Sequence, residues 1–349
     1  MGEEEISLIY GLELQARSLA VELAENEVTR FMVGTQTLKT ANNQIHVVEI
    51  NDETTVINGQ VYNHPAGELW HLHWSPHDSL MFSSTFSNVD DETNVLNKCA
   101  IWTLPHSGQE LEEVAQFKGY DNVKMSVFHP TEKEKFAMVC ENKFVVWDLG
   151  NGSPKEVFER IVDQKGHTKI TGGKWNPQES GAHLCTFQDT NVKGWDLRSP
   201  TPAWSLDQAH SYLVRDVDYN RNRCHTLASC GDDCLVNIWD LRNASTMLKL
   251  TGHSHWVWSL RYNHLQDELL LSSSSDARVI LWWVGSVASE PNDRYPDGKL
   301  VDFSDHEDSV YRLEWSNVDP WLFAALSYDG RLLIDRVPRK HKYNILDIS

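Results

Sequence analysis

Apolar residues along this chain come in short runs that stop at Gly, Asn, Asp or Pro. In residues 213–240, for example, polar turn-forming residues separate the apolar segments LVRDVDY, LASC and LVNIW. Alternating or short apolar runs of this kind are typical of β-strands, whereas an amphipathic helix would repeat its apolar positions every 3.6 residues. The pattern therefore predicts units of four short strands joined by turns.

These units repeat in a fixed register. A His precedes a turn Asp by 23 positions in three units and by 22 in a fourth, in the pairs His210 and Asp233, His253 and Asp276, His306 and Asp329, and His167 and Asp189. Six positions after each Asp comes a strand slot, held by Trp239, Trp282, Asp335 and Trp195 respectively. Weaker copies place further slots at Val48, Trp102 and Trp147. The chain therefore contains seven repeats.

Seven such repeats predict an all-β, seven-bladed WD-repeat β-propeller that forms a single domain. A four-stranded sheet cannot bury both faces alone, but sheets arranged radially cover each other, and closing the ring protects the edges. The predicted blades cover residues 12–62, 63–117, 118–162, 163–206, 207–250, 251–303 and 304–349. One terminus must complete the last blade, and both residues 7–12 and residues 343–348 are candidates.

Composition narrows the class of partner. Lys and Arg total 31 against 50 Asp and Glu, which gives a net charge of −19. So acidic a surface repels phosphate backbones, which argues against nucleic acid as the main partner. The first residues do not resemble a secretory signal, and no apolar run approaches the length needed to span a membrane. The six cysteines then fit a reducing compartment, and we expect a soluble intracellular protein without membrane insertion.

The repeated polar residues favour a structural role over a catalytic one. In the WD-repeat family, which the units resemble, the His, a strand Ser or Thr, the turn Asp and the Trp form a buried hydrogen-bonded network. Such a network is stable because each polar group finds a partner. The same residue types occur in Ser-His-Asp catalytic triads, but copies on several blades indicate structure. We expect no catalytic residue, no metal and no cofactor.

A second repeated position predicts a binding surface. Five or six positions after the blade His, or in the equivalent place, large side chains occupy the innermost strand at Trp70, Arg215, Trp258 and Tyr311, with His255 and Trp256 beside them. In a propeller this position lies near the mouth of the central channel. Aromatic residues and Arg dominate the hot spots of protein interfaces. The competing interpretation is that these rings only plug the channel.

The sequence WDLR occurs twice, at residues 195–198 and 239–242. Arg198 and Arg242 are extra to the repeat and should emerge on the face opposite the channel mouth. Paired motifs of this kind resemble those by which WD-repeat substrate receptors dock onto the adaptor of cullin-type ubiquitin ligases. The planar fork of Arg suits such contacts because it pairs bidentately with a carboxylate.

Whole blocks of sequence go beyond the repeat consensus. The segments IYGLELQARSLA, HSHWVWSLRYNH and SNVDPWLFAALSYDG, together with the tail RVPRKHKY, resemble the family of EARP and GARP complex-interacting proteins. The resemblance implies a non-catalytic adaptor, monomeric within a larger assembly, that binds subunits of an EARP/GARP-type vesicle-tethering complex. It further implies roles in endosomal recycling, retrograde endosome-to-Golgi transport and dense-core vesicle cargo sorting. The expected location is cytoplasmic, with peripheral association with the trans-Golgi network and endosomes.

Overall fold

The computed structural model describes residues 7–39, 42–51, 56–89, 95–108, 110–120, 122–150, 153–162, 168–178 and 183–347. Within these ranges the strands form seven four-stranded antiparallel sheets. The innermost strands of neighbouring sheets contact each other all the way around the ring. The predicted seven-bladed β-propeller is confirmed.

The innermost strands are β2 (Ala16–Val21), β6 (Leu69–Trp74), β10 (Val123–Phe128), β14 (Ile170–Trp175), β18 (Val214–Tyr219), β22 (Val257–Tyr262) and β26 (Val310–Trp315). The second strands are β3 (Thr29–Thr35), β7 (Met81–Val89), β11 (Lys135–Cys140), β15 (His183–Gln188), β19 (Thr226–Gly231), β23 (Leu269–Ser274) and β27 (Leu322–Ser327). The third strands are β4 (Gln44–Asn51), β8 (Val95–Thr103), β12 (Lys143–Asp148), β16 (Asn191–Asp196), β20 (Leu235–Asp240), β24 (Val279–Trp283) and β28 (Arg331–Arg336). The outer strands are β5 (Val56–Asn63), β9 (Glu112–Gln116), β13 (Lys155–Ile161), β17 (Pro202–Leu206), β21 (Ser245–Thr251), β25 (Gly298–Phe303) and β1 (Leu8–Gly11).

The N-terminal strand closes the ring. Strand β1 pairs antiparallel with β28, with Leu8 opposite Ile334 and Gly11 opposite Arg331. The pairing continues past β1, where the amide of Leu12 donates to the carbonyl of Gly330 at 2.8 Å. The described part of the other candidate segment forms no strand, because its first three residues belong to helix α1 (Arg339–Ile345) and the next two form a turn. The two possible closures left open by the sequence are thus resolved in favour of the N-terminus.

The hydrophobic core consists of the layers between adjacent blades. In the layer between the blades of β18–β21 and β22–β25, Ile238 and Leu250 of one sheet pack with Leu260 and Trp282 of the next. Equivalent clusters fill the other interfaces between described sheets. Each blade therefore depends on its neighbours for the burial of its faces, as expected for a radial repeat.

Every innermost strand is irregular at the same place. The register with the second strand shifts between the first and third residues of β2, β6, β10, β14, β18, β22 and β26. In each case the second residue is extra, as in a β-bulge, which twists a strand and redirects a side chain. We call these seven half-buried residues the mouth ring: Arg17, Trp70, Lys124, Thr171, Arg215, Trp258 and Tyr311.

Candidate functional site: an arginine and aromatic cluster at the channel mouth

The mouth ring brings the predicted aromatic and arginine residues together. The rings of Trp258 and Tyr311 lie 4.8 Å apart between centroids, and Trp256 packs edge-on against Trp258 at 6.0 Å. The guanidinium of Arg215 lies 4.4 Å from the centre of the Trp258 ring and 5.6 Å from that of Trp256. Cation–π contacts of this kind contribute about 0.5–2 kcal/mol each.

Arg17 extends this stack to the other side of the mouth. Its guanidinium lies 5.1 Å from the centre of the Trp258 ring, 5.3 Å from that of Trp70 and 4.4 Å from that of Tyr311. Trp256, Arg215, Trp258, Arg17 and Trp70 therefore alternate as aromatic and cation across the channel entrance. We call this set, together with Tyr311, the mouth cluster.

Hydrogen bonds fix the orientation of the cluster. The indole Nε1 of Trp258 donates to Ser275 Oγ at 2.6 Å, and that of Trp70 donates to Ser87 Oγ at 2.6 Å. Arg215 donates from Nε and Nη2 to the two carboxylate oxygens of Asp232 at 2.6 and 2.7 Å. Side chains held in this way lose little conformational entropy when a partner binds.

The rim of the cluster is open to solvent. Trp256 is 42% exposed, an unusual value for a large aromatic ring on a folded surface. His255 packs beside it with ring centroids 4.9 Å apart, and its carbonyl accepts a hydrogen bond from Ser274 Oγ at 3.1 Å. An exposed aromatic ring that packs on rigidly held side chains can receive a side chain from another protein.

Sequence reasoning missed Arg17, Lys124 and Thr171 in the mouth ring. Lys124 forms an ion pair with Glu141 at 3.4 Å, and the Thr171 hydroxyl donates to the Phe187 and Val214 carbonyls at 3.2 and 3.3 Å. Arg17 was missed because its repeat lacks the His and Trp that mark the register elsewhere. The usable signal was local: Ala16-Arg17-Ser18 matches Val214-Arg215-Asp216 in its order of apolar, cationic and polar residues.

Below the mouth, ion pairs along the channel wall connect side chains of neighbouring blades. Arg261 donates to Asp216 at 2.6 Å and to Glu314 at 2.9 Å, and Lys174 pairs with Asp218 at 2.5 Å. Burial raises the pKa of Asp216, but Arg261, Arg312 and Lys174 outweigh that effect and hold it below its usual value. The Asp216 carboxylate therefore stays ionised, and these ion pairs link neighbouring blades.

The opposite wall of the channel carries neutral imidazoles. His71 and His73 stack with ring centroids 6.5 Å apart, and burial lowers the pKa of His73 to about 3 and that of His71 well below its ordinary value. They face a cavity of about 140 Å³. No group of three or more His, Cys, Asp or Glu side chains in the described part of the chain is arranged to hold a metal ion.

Among the residues that the structure describes, two blades contain the complete polar network. His210 bonds Asp233 through Nδ1 at 2.8 Å and Ser229 Oγ through Nε2 at 2.7 Å, and Trp239 donates to the same hydroxyl at 2.8 Å. His253, Asp276, Ser272 and Trp282 repeat this arrangement, with distances of 3.0, 2.7 and 2.7 Å. Ser229 and Ser272 are fully buried. Both hydroxyls are closed to solvent and already bond two partners each, as expected for groups that hold a blade together.

The prediction is wrong for His306. Neither of its ring nitrogens has a hydrogen-bond partner among the described residues, and burial lowers its pKa to about 4. Asp329 instead accepts a hydrogen bond from Ser327 at 2.5 Å and pairs with Arg331 at 3.2 Å. The network fails because Ala325 stands at the strand position that Ser229 and Ser272 occupy in the complete blades, and Asp335 replaces the Trp.

The fourth predicted unit is described only in part. His167 lies outside the described residues. Trp195 donates to Thr186 Oγ1 at 2.8 Å, as Trp239 does to its serine. Asp189 adopts a left-handed backbone conformation with φ of 48°, and its carbonyl accepts from the amide of Val214 at 2.7 Å.

Arg198 and Arg242 lie on the face opposite the mouth. Both follow the end of a third strand, where Asp240 pairs with Thr226, far from the start of β18. Each arginine donates from Nε and Nη2 to the Asp two residues before it, at 2.9 Å for both bonds of Arg198 and at 2.9 and 2.6 Å for Arg242. These pairs are alike in geometry, and the arginine side chains are 73% and 64% exposed.

Comparison with known proteins identifies the family. A profile described as EIPR1 beta-propeller matches residues 4–282, and one described as WD domain, G-beta repeat matches residues 298–334. The chain belongs to the EIPR1 beta-propeller family. It is 39% identical to EARP and GARP complex-interacting protein 1 of Homo sapiens, and the alignment covers 99% of this chain and all of that protein.

Other members of the EIPR1 beta-propeller family are similar over comparable lengths. EARP-interacting protein homolog of Danio rerio is 41% identical over 99% of this chain and all of its own length, and EARP-interacting protein 1 of Caenorhabditis elegans is 30% identical over 98% and 99%. The family resemblance drawn from the sequence is confirmed. In the described residues, no helix has the length and apolar character needed to cross a membrane.

Proposed function

We propose that this member of the EIPR1 beta-propeller family is a non-catalytic adaptor that binds subunits of an EARP/GARP-type vesicle-tethering complex. The observation that carries the proposal is end-to-end similarity to proteins whose names state that they interact with EARP or with EARP and GARP. Because the similarity extends along the whole chain, it favours a shared role of the entire propeller over a similarity confined to one blade.

The mouth cluster is the proposed contact surface. Trp258 lies at its centre and Trp256 at its open rim, with Tyr311, Arg215 and Trp70 around Trp258 and His255 beside Trp256. The argument rests on residue type and on rigidity, because Trp, Tyr and Arg contribute most to interface energies when they are held in place and partly desolvated. Trp258 and Arg215 meet both conditions through Ser275 and Asp232.

A catalytic role has little support in the arrangement of polar groups. The buried His–Ser–Asp sets lie inside blades, and the channel carboxylates are already paired with arginine or lysine. The propeller instead offers a preformed ring with two faces for different partners. We place the adaptor in the cytoplasm, on trans-Golgi network and endosomal membranes through its partner, and as one copy per assembly. Its processes would be endosomal recycling, retrograde transport and dense-core vesicle cargo sorting.

The first test is purification of the tagged full-length protein from its own cells, with mass spectrometry of the co-purifying proteins. We expect tether subunits in near-stoichiometric amount. Their absence, with the protein soluble and folded, would contradict the proposal.

The matching arginine–aspartate pairs of the two WDLR motifs favour a second candidate function, as a substrate receptor of a cullin-type ubiquitin ligase. Two exposed arginines held flat on adjacent blades could dock one adaptor surface. This candidate predicts that ligase adaptor and cullin co-purify in place of the tether. It also predicts that exchange of both Arg198 and Arg242 for Ala abolishes their recovery.

A further inference from the structure

The guanidinium of Arg17 makes aromatic contacts, but its N–H donors make no hydrogen bonds with the described residues. Three aromatic rings pack around its guanidinium within 5.3 Å, but the group has no hydrogen-bond or ion-pair acceptor among the described residues. Burial lowers the pKa of Arg17, and Arg312 and Arg215 lower it further. Tyr311 and Tyr328 oppose this shift in part, and no carboxylate of the described residues does. Stacking uses the plane of a guanidinium and leaves its in-plane N–H donors available.

Arg215 shows what is missing at Arg17. Both residues occupy the same bulge position of their blades, and both stack on Trp258. The fork of Arg215 is filled by Asp232, with both carboxylate oxygens in reach at 2.6 and 2.7 Å. At Arg17 the aromatic rings are present, but none of the described residues supplies the carboxylate. The neighbouring pair is therefore a template for a ligand that would complete the site.

The charges around Arg17 also favour an anion. Asp232 is occupied by Arg215, and Asp216 below is shared by Arg261 at 2.6 Å and Arg312 at 3.6 Å. The centre of the mouth thus holds an unbalanced positive charge within a chain of net charge −19. A focused positive site surrounded by negative charge admits a single acidic side chain and repels a long polyanion.

We propose that Arg17 receives the carboxylate of an Asp or Glu from the partner protein, bound bidentately by its fork and enclosed by Trp70, Trp258 and Tyr311. This assignment rests on the proposed function, because it names the chemistry by which the mouth cluster recognises its partner. A charge-assisted bidentate contact contributes enough to change affinity about 10- to 100-fold.

The test compares Arg17→Met with Arg242→Met for binding of the full-length protein to the purified tethering complex. Met keeps most of the apolar stem, and both variants change the net charge by the same amount. We expect Arg17→Met to weaken binding about 10- to 100-fold and Arg242→Met to leave it within twofold. Arg17→Lys keeps the charge without the fork and should fall between the wild type and Arg17→Met.

The outcomes separate two failures. If the wild type does not bind the complex, the proposed function is wrong; if it binds and Arg17→Met binds equally well, the carboxylate assignment is wrong and the function stands. Equal unfolding midpoints of the variants exclude misfolding, and should Arg17→Met fail this check, Arg17→Lys alone decides.

Phosphatase treatment of the complex should leave wild-type binding unchanged. Loss of binding after that treatment would identify a phosphate group as the ligand and overturn the carboxylate assignment.

Discussion

The hydroxyl of Ser272 is the common point of the network in the blade of β22–β25, and its removal should be costly. Ser272 Oγ bonds His253 Nε2 at 2.7 Å and accepts the indole N–H of Trp282 at 2.7 Å. The side chain is fully buried, so water cannot replace the hydroxyl. Ser272→Ala therefore leaves one imidazole nitrogen and one indole N–H without partners in the interior.

The expected loss follows from these two groups. Leaving a buried polar group unsatisfied costs about 1–3 kcal/mol, so two of them should lower the free energy of unfolding by about 2–6 kcal/mol. The adjacent Ser273 offers a matched control, because it is equally buried but its Oγ has no hydrogen-bond partner among the described residues. Ser273→Ala removes the same atom and should leave stability unchanged or raise it by about 1 kcal/mol.

Urea unfolding of the three proteins, followed by tryptophan fluorescence and circular dichroism, measures the difference. We expect a midpoint for Ser272→Ala well below those of the wild type and Ser273→Ala. Equal losses for the two variants would refute it, because stability would then depend on side-chain volume on β23 and not on the hydrogen-bonded network.

Three further results are expected. Gly330→Ala should lower the free energy of unfolding by about 1–3 kcal/mol, because the residue has φ of 84° and a new Cβ would meet the Leu14 carbonyl oxygen. Gly108→Ala is the control: it has φ of 95° and open space around the new Cβ, and it should cost about 1 kcal/mol. Equal losses for the two variants would contradict a role of Gly330 in ring closure. Asp335→Asn should gain stability relative to the wild type as the pH rises from 4 to 7. Burial raises the pKa of Asp335 from 3.8 to about 6, so the protonated form is favoured in the folded state and stability is lost as the pH rises through the folded pKa. The difference corresponds to about 3 kcal/mol, and a variant offset that is equal at both pH values in urea titrations would refute it. Trp256→Ala should change the unfolding midpoint little, since the ring is 42% exposed, yet it should reduce recovery of tether subunits; a large loss of stability would indicate a structural ring instead.

Repeat spacing was sufficient to predict the blades, because the His, Asp and Trp markers sit at fixed positions of the strands. The same spacing led to Arg215, Trp258 and Tyr311 in the mouth ring. It did not lead to Arg17, whose blade carries Val48 in the Trp slot. The alternating stack depends on side chains from different blades meeting across the channel, and no short-range pattern reports such contacts.

Two other features depended on tertiary pairing. Both termini have apolar residues suited to a closing strand, and only the pairing of β1 with β28 distinguishes them. The loss of partners at His306 follows from Ala325 and Asp335, which stand where the complete blades have a serine and a Trp, but the equivalence of Ala325 with Ser229 was clear only from the strand register. Local sequence patterns therefore predicted the positions of the polar network, but which of these residues form hydrogen bonds depends on the tertiary structure.

The most direct test of tether binding at the channel mouth is quantitative recovery of tether subunits by tagged protein from its own cells. Three forms are compared at equal expression: the wild type, the double variant Trp256→Ala and Trp258→Ala at the mouth, and the double variant Arg198→Ala and Arg242→Ala on the opposite face. With unfolding midpoints showing that all three fold, we expect strong recovery by the wild type and the opposite-face variant, and at least about tenfold less by the mouth variant. Equal recovery by the mouth variant and the wild type would contradict the claim that the channel mouth binds the tether.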